Sequence, residues 1–253
     1  MVRPTIEAVR QVGIVVAMVA APLAVVLLVS GSVDRWEAAA AGLPERDALL
    51  LLGLSSGDAA MASRALEQGA SASARDLTGM TALMWAARAG DEARVRQLLR
   101  GGADASAQTD YRLTALSQAA EAGHVAVIKM LLDAGAPVDQ RLIAGQTPLH
   151  WAALWQHPEA VDLLVARGAD VNARDANGQT PLMMAVGYDG PDAVAIARRL
   201  IAAGADVDAT DNDGVTATAV AAGAKNPPLR ALLEENRGGL GKLMSDSRPR
   251  RRQ

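Results

Sequence analysis

The feature that most constrains the fold of this chain is a sequence outline that returns about every 33 residues. Its fullest copy runs from Gly145 to Asn172 and contains the stretches Gly-Gln-Thr-Pro-Leu-His-Trp-Ala-Ala, Val-Asp-Leu-Leu and Gly-Ala-Asp-Val-Asn. A period of this length is typical of stacked supersecondary units, each of which buries its apolar face only against its neighbours. The threonine of the outline marks the successive copies at Thr81, Thr114, Thr147, Thr180 and, after a slightly longer gap, Thr216.

One copy of the outline predicts two short helices joined by tight turns. Thr147 can cap a helix with its hydroxyl, and Pro148 suits the first helical position, where a missing N–H costs nothing. A second helix is expected from about Pro158 to Arg167, with Gly168 as its natural C-terminal stop. The following segment, up to Gly178, has no helical period and is rich in turn formers, which favours a β-hairpin loop between successive units.

These stretches closely resemble the ankyrin repeat, whose hallmark is Thr-Pro-Leu-His-x-Ala-Ala followed by Leu-Leu and Gly-Ala-Asp-x-Asn. The resemblance implies an all-α helical-repeat solenoid of about six helix–turn–helix units with β-hairpin loops between them. It covers residues 45–235, which would form one ankyrin repeat domain. The first unit, from Glu45, lacks the Thr-Pro-Leu head, and the last has Thr218 where a leucine is usual. Terminal units depart from the pattern because one flank has no neighbour.

The composition fits a thin stack and excludes several kinds of site. Phenylalanine is absent and aromatic residues make up 2% of the chain, so leucine must pack against alanine rather than against large rings. Cysteine is also absent. Disulfides, zinc thiolates, a thiol nucleophile and a lipoprotein anchor are therefore excluded.

An uncharged segment of eighteen residues, Val12 to Val29, predicts a transmembrane or signal helix. An eighteen-residue helix is about 27 Å long, close to the thickness of the hydrocarbon core. Three interpretations remain open: a retained membrane anchor with Trp36 near the interface, a cleaved export signal, and a buried helix of a soluble protein. In the first two, residues 1–11, with Arg3 and Arg10, stay in the cytoplasm and everything after Ser30 is exported.

Two further segments flank the predicted repeat domain. Residues 30–44 are expected to be a linker. The tail, residues 236–253, holds six basic residues and one acidic residue, a net charge of +5, while the rest of the chain carries −8. The tail is either a basic arm that touches acidic lipid headgroups, nucleic acid or an acidic partner, or a disordered and solvated end. Export of the tail would disfavour nucleic acid.

The sequence offers no constellation for catalysis, a cofactor or a metal. His150 belongs to the Thr-Pro-Leu-His motif, and His124 and His157 precede second helices, where the resemblance implies structural hydrogen bonds. The glycines follow the repeat and form no phosphate loop. We therefore expect no enzyme activity, no cofactor and no metal. One aspartate per loop is expected to accept backbone N–H bonds in a turn rather than to bind calcium, at Asp76, Asp110, Asp175 and Asp211.

The resemblance implies that loop tips and exposed positions of the first helices line a concave face that binds other proteins. Trp155 lies where the repeat usually has a small or polar residue, and Gln156 replaces the glycine that ends the first helix in other copies. Exposed Trp, Tyr and Arg side chains dominate binding hot spots. The alternative for Trp155 is that it folds over the neighbouring unit as local cover. The candidate protein-binding residues are Arg88, Tyr111, Arg112, Leu142, Ile143, Leu154, Trp155 and Tyr188.

We therefore expect a protein-protein interaction module with a protein partner of unknown identity, and no nucleic acid as a partner. The Ala, Arg and Gly bias of an exported chain without cysteine indicates a bacterial source. The expected location is the inner membrane, as a single-pass protein with the repeats in the periplasm, or the periplasm itself if the signal is cleaved. The alternatives are a cytoplasmic ankyrin scaffold and an inhibitor or immunity-type protein that acts on an enzyme partner.

Overall fold

A computed structural model describes residues 43–187, 190–223 and 226–238. These residues form twelve helices, which pair in chain order so that each first helix packs against the second helix that follows it. The pairs are α1 (Glu45–Ser56) with α2 (Ala59–Glu67), α3 (Ala82–Ala89) with α4 (Glu92–Arg100), α5 (Ala115–Glu121) with α6 (Val125–Asp133), α7 (Pro148–Leu154) with α8 (Pro158–Ala166), α9 (Pro181–Gly187) with α10 (Ala193–Ala202), and α11 (Ala217–Ala222) with α12 (Pro227–Glu235).

The helix boundaries follow from local chemistry. The hydroxyl of Thr81 accepts a hydrogen bond from the Met84 N–H at the start of α3, and Thr114 does the same at the start of α5. Pro148 occupies the first position of α7. Gly90 ends α3 in the left-handed region, at φ 70°, where a residue without Cβ fits without strain.

The helix pairs stand in single file. Neighbouring first helices pack against one another from α1 to α11, and the second helices form a parallel row from α4 to α12. Paired alanines such as Ala119 and Ala120 are fully buried between the first helices, because small side chains let the helices approach closely. Leucines of the second helices, such as Leu98 and Leu131, are also fully buried, so that one apolar core runs along the stack.

Successive helix pairs are joined by loops whose outer parts we call the tip loops. The β-hairpins implied by the resemblance are reduced to turns, because the described residues contain no strand and only two isolated antiparallel bridges, Arg75–Thr81 and Thr210–Thr216. In the first tip loop, Oδ1 of Asp76 accepts the N–H groups of Thr78 and Met80, so the carboxylate satisfies amides inside the turn. The five tip loops, in chain order, are residues 75–80, 108–113, 141–146, 174–179 and 210–215.

Neighbouring tip loops are hydrogen-bonded to one another. The N–H of Ile143 donates to the carbonyl of Tyr111 over 3.3 Å, and the N–H of Ala176 donates to the carbonyl of Ala144 over 2.8 Å. The tip loops therefore form a continuous row along one side of the stack, at the ends from which the first helices start.

Within the described ranges, no helix is both long and apolar enough to cross a membrane. The apolar segment Val12–Val29, the residues up to 42 and the tail from residue 239 lie outside these ranges. The predictions made for them therefore stay predictions.

Candidate protein-binding surface

Large apolar side chains are exposed at two places in the described part of the chain. Three of them project from the first three tip loops: Leu77 is 74% exposed, Tyr111 66% and Ile143 68%. The fourth, Trp155, is 37% exposed and caps the C-terminal end of α7. One partner can cover exposed apolar side chains in consecutive repeat units together and remove them from water. Exposed apolar patches of this kind mark protein-binding sites.

Tyr111, Arg112 and Ile143 lie together in the second and third tip loops. All three are exposed, and the hydrogen bond from Ile143 N to Tyr111 O holds the two loops side by side. These three predicted residues are therefore close enough to touch one partner together.

Leu142 does not belong to this exposed surface, because it is only 5% exposed. It occupies the position of the 33-residue outline that Asp76 holds in the first tip loop and Asp175 in the fourth. The prediction that Leu142 contacts a partner is therefore corrected, because a side chain this deeply buried offers almost no surface to a partner.

The predicted patch is divided between the two ends of a helix. Ile143 precedes α7, whereas Leu154 is its last residue and Trp155 follows directly. A helix of seven residues rises about 10 Å, so the Trp155 end is separated from the tip-loop end by roughly that length. Leu154 is half-buried beside Trp155, which leaves the indole as the larger exposed group at this end.

Arg88 lies at the corresponding end of α3 and is half-buried. Its carbonyl oxygen is 3.1 Å from Nε2 of His124, and its positive charge acts on the carboxylate of Glu121 in the next unit. Burial nevertheless raises the pKa of Glu121, and its hydrogen bond from Gln118 and the charge of Arg88 offset this in part. Tyr188, the remaining predicted residue, lies outside the described residues.

Two non-glycine residues of the described chain have left-handed backbones, Arg112 and Gln156, both at φ 60°. Each stands where other units have glycine, and each directly follows an exposed aromatic residue, Tyr111 or Trp155. A side chain in this conformation costs about 1 kcal/mol. Backbone strain of this kind is concentrated at functional sites, which supports the choice of these two places.

A compensating change in the next unit accommodates Gln156. The rings of His124 and His157 lie over Gly90 and Gly123, where an added Cβ would meet ring atoms at 2.6 and 2.5 Å. At Gln156 the relationship is reversed, because Gly190 stands where a histidine would be and leaves room for the glutamine side chain. The Gln156 amide then donates to the carbonyls of Ala153 and Ala185, which ties its loop to the next unit.

The histidines have structural partners. The N–H of Thr147 donates to Nδ1 of His150 over 3.1 Å, and Nε2 of His150 donates to the carbonyl of Gln179 in the next unit. Burial lowers the pKa of His150, which keeps the ring neutral. Nε2 of His157 lies 2.9 Å from the carbonyl of Glu121. Within the described ranges, no group of acidic and histidine side chains could hold a metal ion.

Sequence reasoning missed a row of arginines on the tip loops. Arg75, Arg141 and Arg174 share one position of the 33-residue outline, and all are exposed. The second tip loop has Gln108 at this position, and Nε of the nearby Arg112 lies 3.4 Å from Oε1 of Gln108. Each of the first four tip loops therefore presents one guanidinium group. The common register of three arginines was visible in the sequence.

The aspartates of the tip loops follow the same register with one correction. Asp76, Asp175 and Asp211 each accept two backbone N–H bonds within their turns, as predicted. In the second tip loop, however, Thr109 holds this position and accepts the Leu113 N–H, while Asp110 is exposed. The prediction for Asp110 is therefore wrong by one position, because Thr109 is the residue that accepts the N–H bond in this turn.

Comparison with known proteins agrees with this architecture. A family model described as ankyrin repeats (3 copies) matches residues 26–141, 90–175 and 137–211, which together span most of the chain. A search of curated proteins finds no match. The matched family implies three features that the structure contains: helix pairs in single file, threonine caps, and histidine hydrogen bonds between units. The chain belongs to the ankyrin-repeat family, and its repeats are a protein–protein interaction module.

Proposed function

We propose that this protein binds a partner protein through the tip loops and the adjoining ends of its first helices. The observation that carries the proposal is that three consecutive tip loops each expose a large apolar side chain, Leu77, Tyr111 and Ile143. The protein acts by recognition, without a catalytic step. Each such side chain can contribute about 2 kcal/mol once a partner removes it fully from water.

Rigidity of the row favours binding. The Ile143–Tyr111 and Ala176–Ala144 bonds fix neighbouring tip loops before a partner arrives. Few backbone dihedral angles of the tip loops therefore have to become fixed when the partner binds. The binding free energy is reduced less by the loss of conformational entropy. Trp155 provides a second contact at the other end of α7, where the Gln156 bonds hold its loop.

We further propose that residues 12–29 place the repeats at the bacterial inner membrane, with the repeat domain in the periplasm. The length and apolar character of this segment and the arginines before it support the proposal. At this location the module would tether or inhibit an exported protein. The second candidate is a cytoplasmic scaffold, which requires the segment to be neither anchor nor signal, or an inhibitor or immunity-type protein of an enzyme partner.

Photocrosslinking in intact cells tests the binding surface. A photoreactive phenylalanine analogue is introduced at Tyr111 or at Ile143, and the control is the same group at Arg198, an exposed residue of α10 on the side of the second helices. We expect a discrete protein adduct from the two tip positions and none from the control. Equal adducts from all three positions, or none from the tips, would contradict the proposal.

Protease accessibility tests the location. In cells with a permeabilised outer membrane, the repeat domain should be digested while cytoplasmic proteins stay intact, and the uncleaved chain should sediment with membranes. A variant without residues 1–29 should remain in the cytoplasm. Protection of the full-length repeat domain in such cells would instead favour the cytoplasmic scaffold.

A further inference from the structure

We infer that the tip-loop row accepts an extended acidic segment of the partner, with a carboxylate at every third residue. This inference rests on the proposed function and specifies the chemistry of the partner. Its basis is the arginine row, which we define as Arg75, Arg112, Arg141 and Arg174, one in each of the first four tip loops.

The positive charges of the arginine row are not matched by ion pairs. Among the described residues, none of the four forms a salt bridge, whereas the five ion pairs found there lie on the second helices and at the C-terminal end of the stack. Arg75 and Arg141 each use one terminal nitrogen, Nη1, to reach two backbone carbonyls. Since a guanidinium has five N–H donors, both keep donors for a partner.

Carboxylates within the tip loops compete little with a partner for these arginines. Asp76 accepts two backbone N–H bonds and the Trp85 indole, and Asp175 is buried and accepts two backbone N–H bonds. Asp110 is the exposed carboxylate of the first four tip loops. The fifth tip loop carries Asp211 and Asp213 instead of an arginine. The basic row, and with it the surface that attracts an acidic segment, therefore ends at the fourth tip loop.

The strained backbone of Arg112 fits this interpretation. Arg112 replaces the turn glycine of the other tip loops and stands next to Gln108, the one position where the arginine column is interrupted. A residue with φ 60° thus supplies the guanidinium that Gln108 does not. Within the described residues, the guanidinium of Arg112 makes no hydrogen bond besides the 3.4 Å contact of Nε with Oε1 of Gln108.

The spacing of the row determines the spacing of the partner's charges. Because neighbouring first helices pack directly, adjacent units are about 8–10 Å apart. A polyproline II segment turns once in three residues and advances about 9 Å in doing so. Every third side chain of such a segment faces the same way and meets the next tip loop. Leu77, Tyr111 and Ile143 lie beside the row and offer apolar contacts to the residues between the charges.

Fluorescence anisotropy with the full-length protein tests the inference. The probe is a labelled peptide of four Glu-Pro-Pro units, and the control peptide has the same composition with its glutamates consecutive. We expect the spaced peptide to bind at least fivefold more tightly, and its affinity to fall as salt is added. Equal affinities of the two peptides, or no binding at low salt, would overturn the inference.

Matched variants assign the binding to the row. Arg112→Gln with Arg174→Gln should weaken binding about tenfold, since an exposed ion pair is worth up to about fivefold. Arg75 and Arg141 are left intact because they bond to neighbouring loops. Arg198→Gln with Arg230→Gln removes the same charge from exposed positions of α10 and α12 and should change affinity less than twofold. Equal losses in both pairs would contradict the assignment.

The same variants distinguish the inference from the proposed function. If the photocrosslinked protein is still captured at Ile143 in the Arg112→Gln, Arg174→Gln variant, the tip loops bind a protein but not through acidic residues, and the inference fails alone. If no protein is captured from any tip position, the proposed function fails as well. Tighter, row-dependent binding of phosphatidylglycerol vesicles or of single-stranded DNA than of the spaced peptide would also overturn the inference.

Discussion

The indole Nε1 of Trp85 donates a 2.9 Å hydrogen bond to Oδ2 of Asp76. Two periods along the chain, Trp151 takes the place of Trp85 but Leu142 takes the place of Asp76. The buried Nε1 of Trp151 has no hydrogen-bond partner among the residues that the structure describes. One period further, Asp175 is present without a tryptophan, and its buried Oδ2 has no partner within the described ranges either. The same scaffold position is therefore satisfied in one unit and unsatisfied in two others.

This difference predicts that the same substitution, Trp to Phe, costs more stability at Trp85 than at Trp151. Trp85→Phe leaves Oδ2 of Asp76 without its donor and should lower the free energy of unfolding by about 1–3 kcal/mol. Trp151→Phe removes an N–H that has no acceptor in the described part of the chain, so the loss should be below about 1 kcal/mol, or there should be a gain. Urea denaturation of the two variants measures both values. A larger loss for Trp151→Phe would show that its indole has a partner that the structure does not contain.

A second prediction concerns the strain at Arg112. Arg112→Gly should raise the free energy of unfolding by about 1 kcal/mol, because glycine adopts φ 60° without steric cost. If the arginine row binds as inferred, the same variant should bind the spaced acidic peptide more weakly. Stability and binding would then change in opposite directions.

The reverse substitution provides the matched control. Gly79 holds the same position in the first tip loop at φ 78°, and an added Cβ would meet nothing closer than 3.5 Å. Gly79→Arg should therefore lower the free energy of unfolding by the backbone term, again about 1 kcal/mol. If Gly79→Arg lowers the free energy of unfolding but Arg112→Gly does not raise it, then contacts of the Arg112 side chain offset its backbone strain.

A third prediction follows from the burial of His150. Since burial lowers its pKa below the usual value of 6.5, the folded protein binds fewer protons than the unfolded chain as the pH falls below about 6.5. The stability that this neutral ring contributes is complete above 6.5 and is lost on acidification, by at most about 1.4 kcal/mol per pH unit. The Nδ1 atom accepts the Thr147 N–H, a bond that protonation destroys.

Thermal unfolding between pH 7.5 and pH 5 measures this effect. His150→Gln should be less stable at neutral pH but should lose much of the pH dependence between those limits. His124→Gln serves as the control, because it leaves His150 and its bond to Thr147 in place. An unchanged slope in His150→Gln would assign the pH dependence to other groups.

Much of the fold could be predicted because its signals are local. The threonine caps, the proline at the first helical position and the glycine stop of each unit act within one turn of chain, and a fixed period repeats them. The left-handed conformation of Gln156 could also be anticipated from the glycines at equivalent positions. Such features depend on the residue itself and on its nearest neighbours.

The candidate surface was harder to predict because it depends on which way side chains point. Leu142 and Ile143 are adjacent in sequence, yet one is buried and the other is exposed, and only the geometry of the turn decides between them. Tyr111 and Trp155 belong to neighbouring units, but Tyr111 lies at the tip-loop end of the first helices and Trp155 lies at the opposite end of α7. The pairing of Arg112 with Gln108 requires the folded loop, and no sequence signal indicates it.

The separation of Ile143 from Trp155 gives the last prediction, which concerns the captured partner. Ile143→Ala should leave the free energy of unfolding within about 0.5 kcal/mol, since the side chain is 68% exposed, and should weaken the complex by about 1–2 kcal/mol. Trp155→Ala should also weaken the complex if the partner reaches both ends of α7. Contacts about 10 Å apart contribute independently, so the double variant should show the sum of the two losses within about 0.5 kcal/mol. Ala126→Ser, an exposed change on α6, controls for surface substitution as such. A normal complex with Trp155→Ala, together with a loss for Ile143→Ala, would confine the partner to the tip loops and assign Trp155 to local cover.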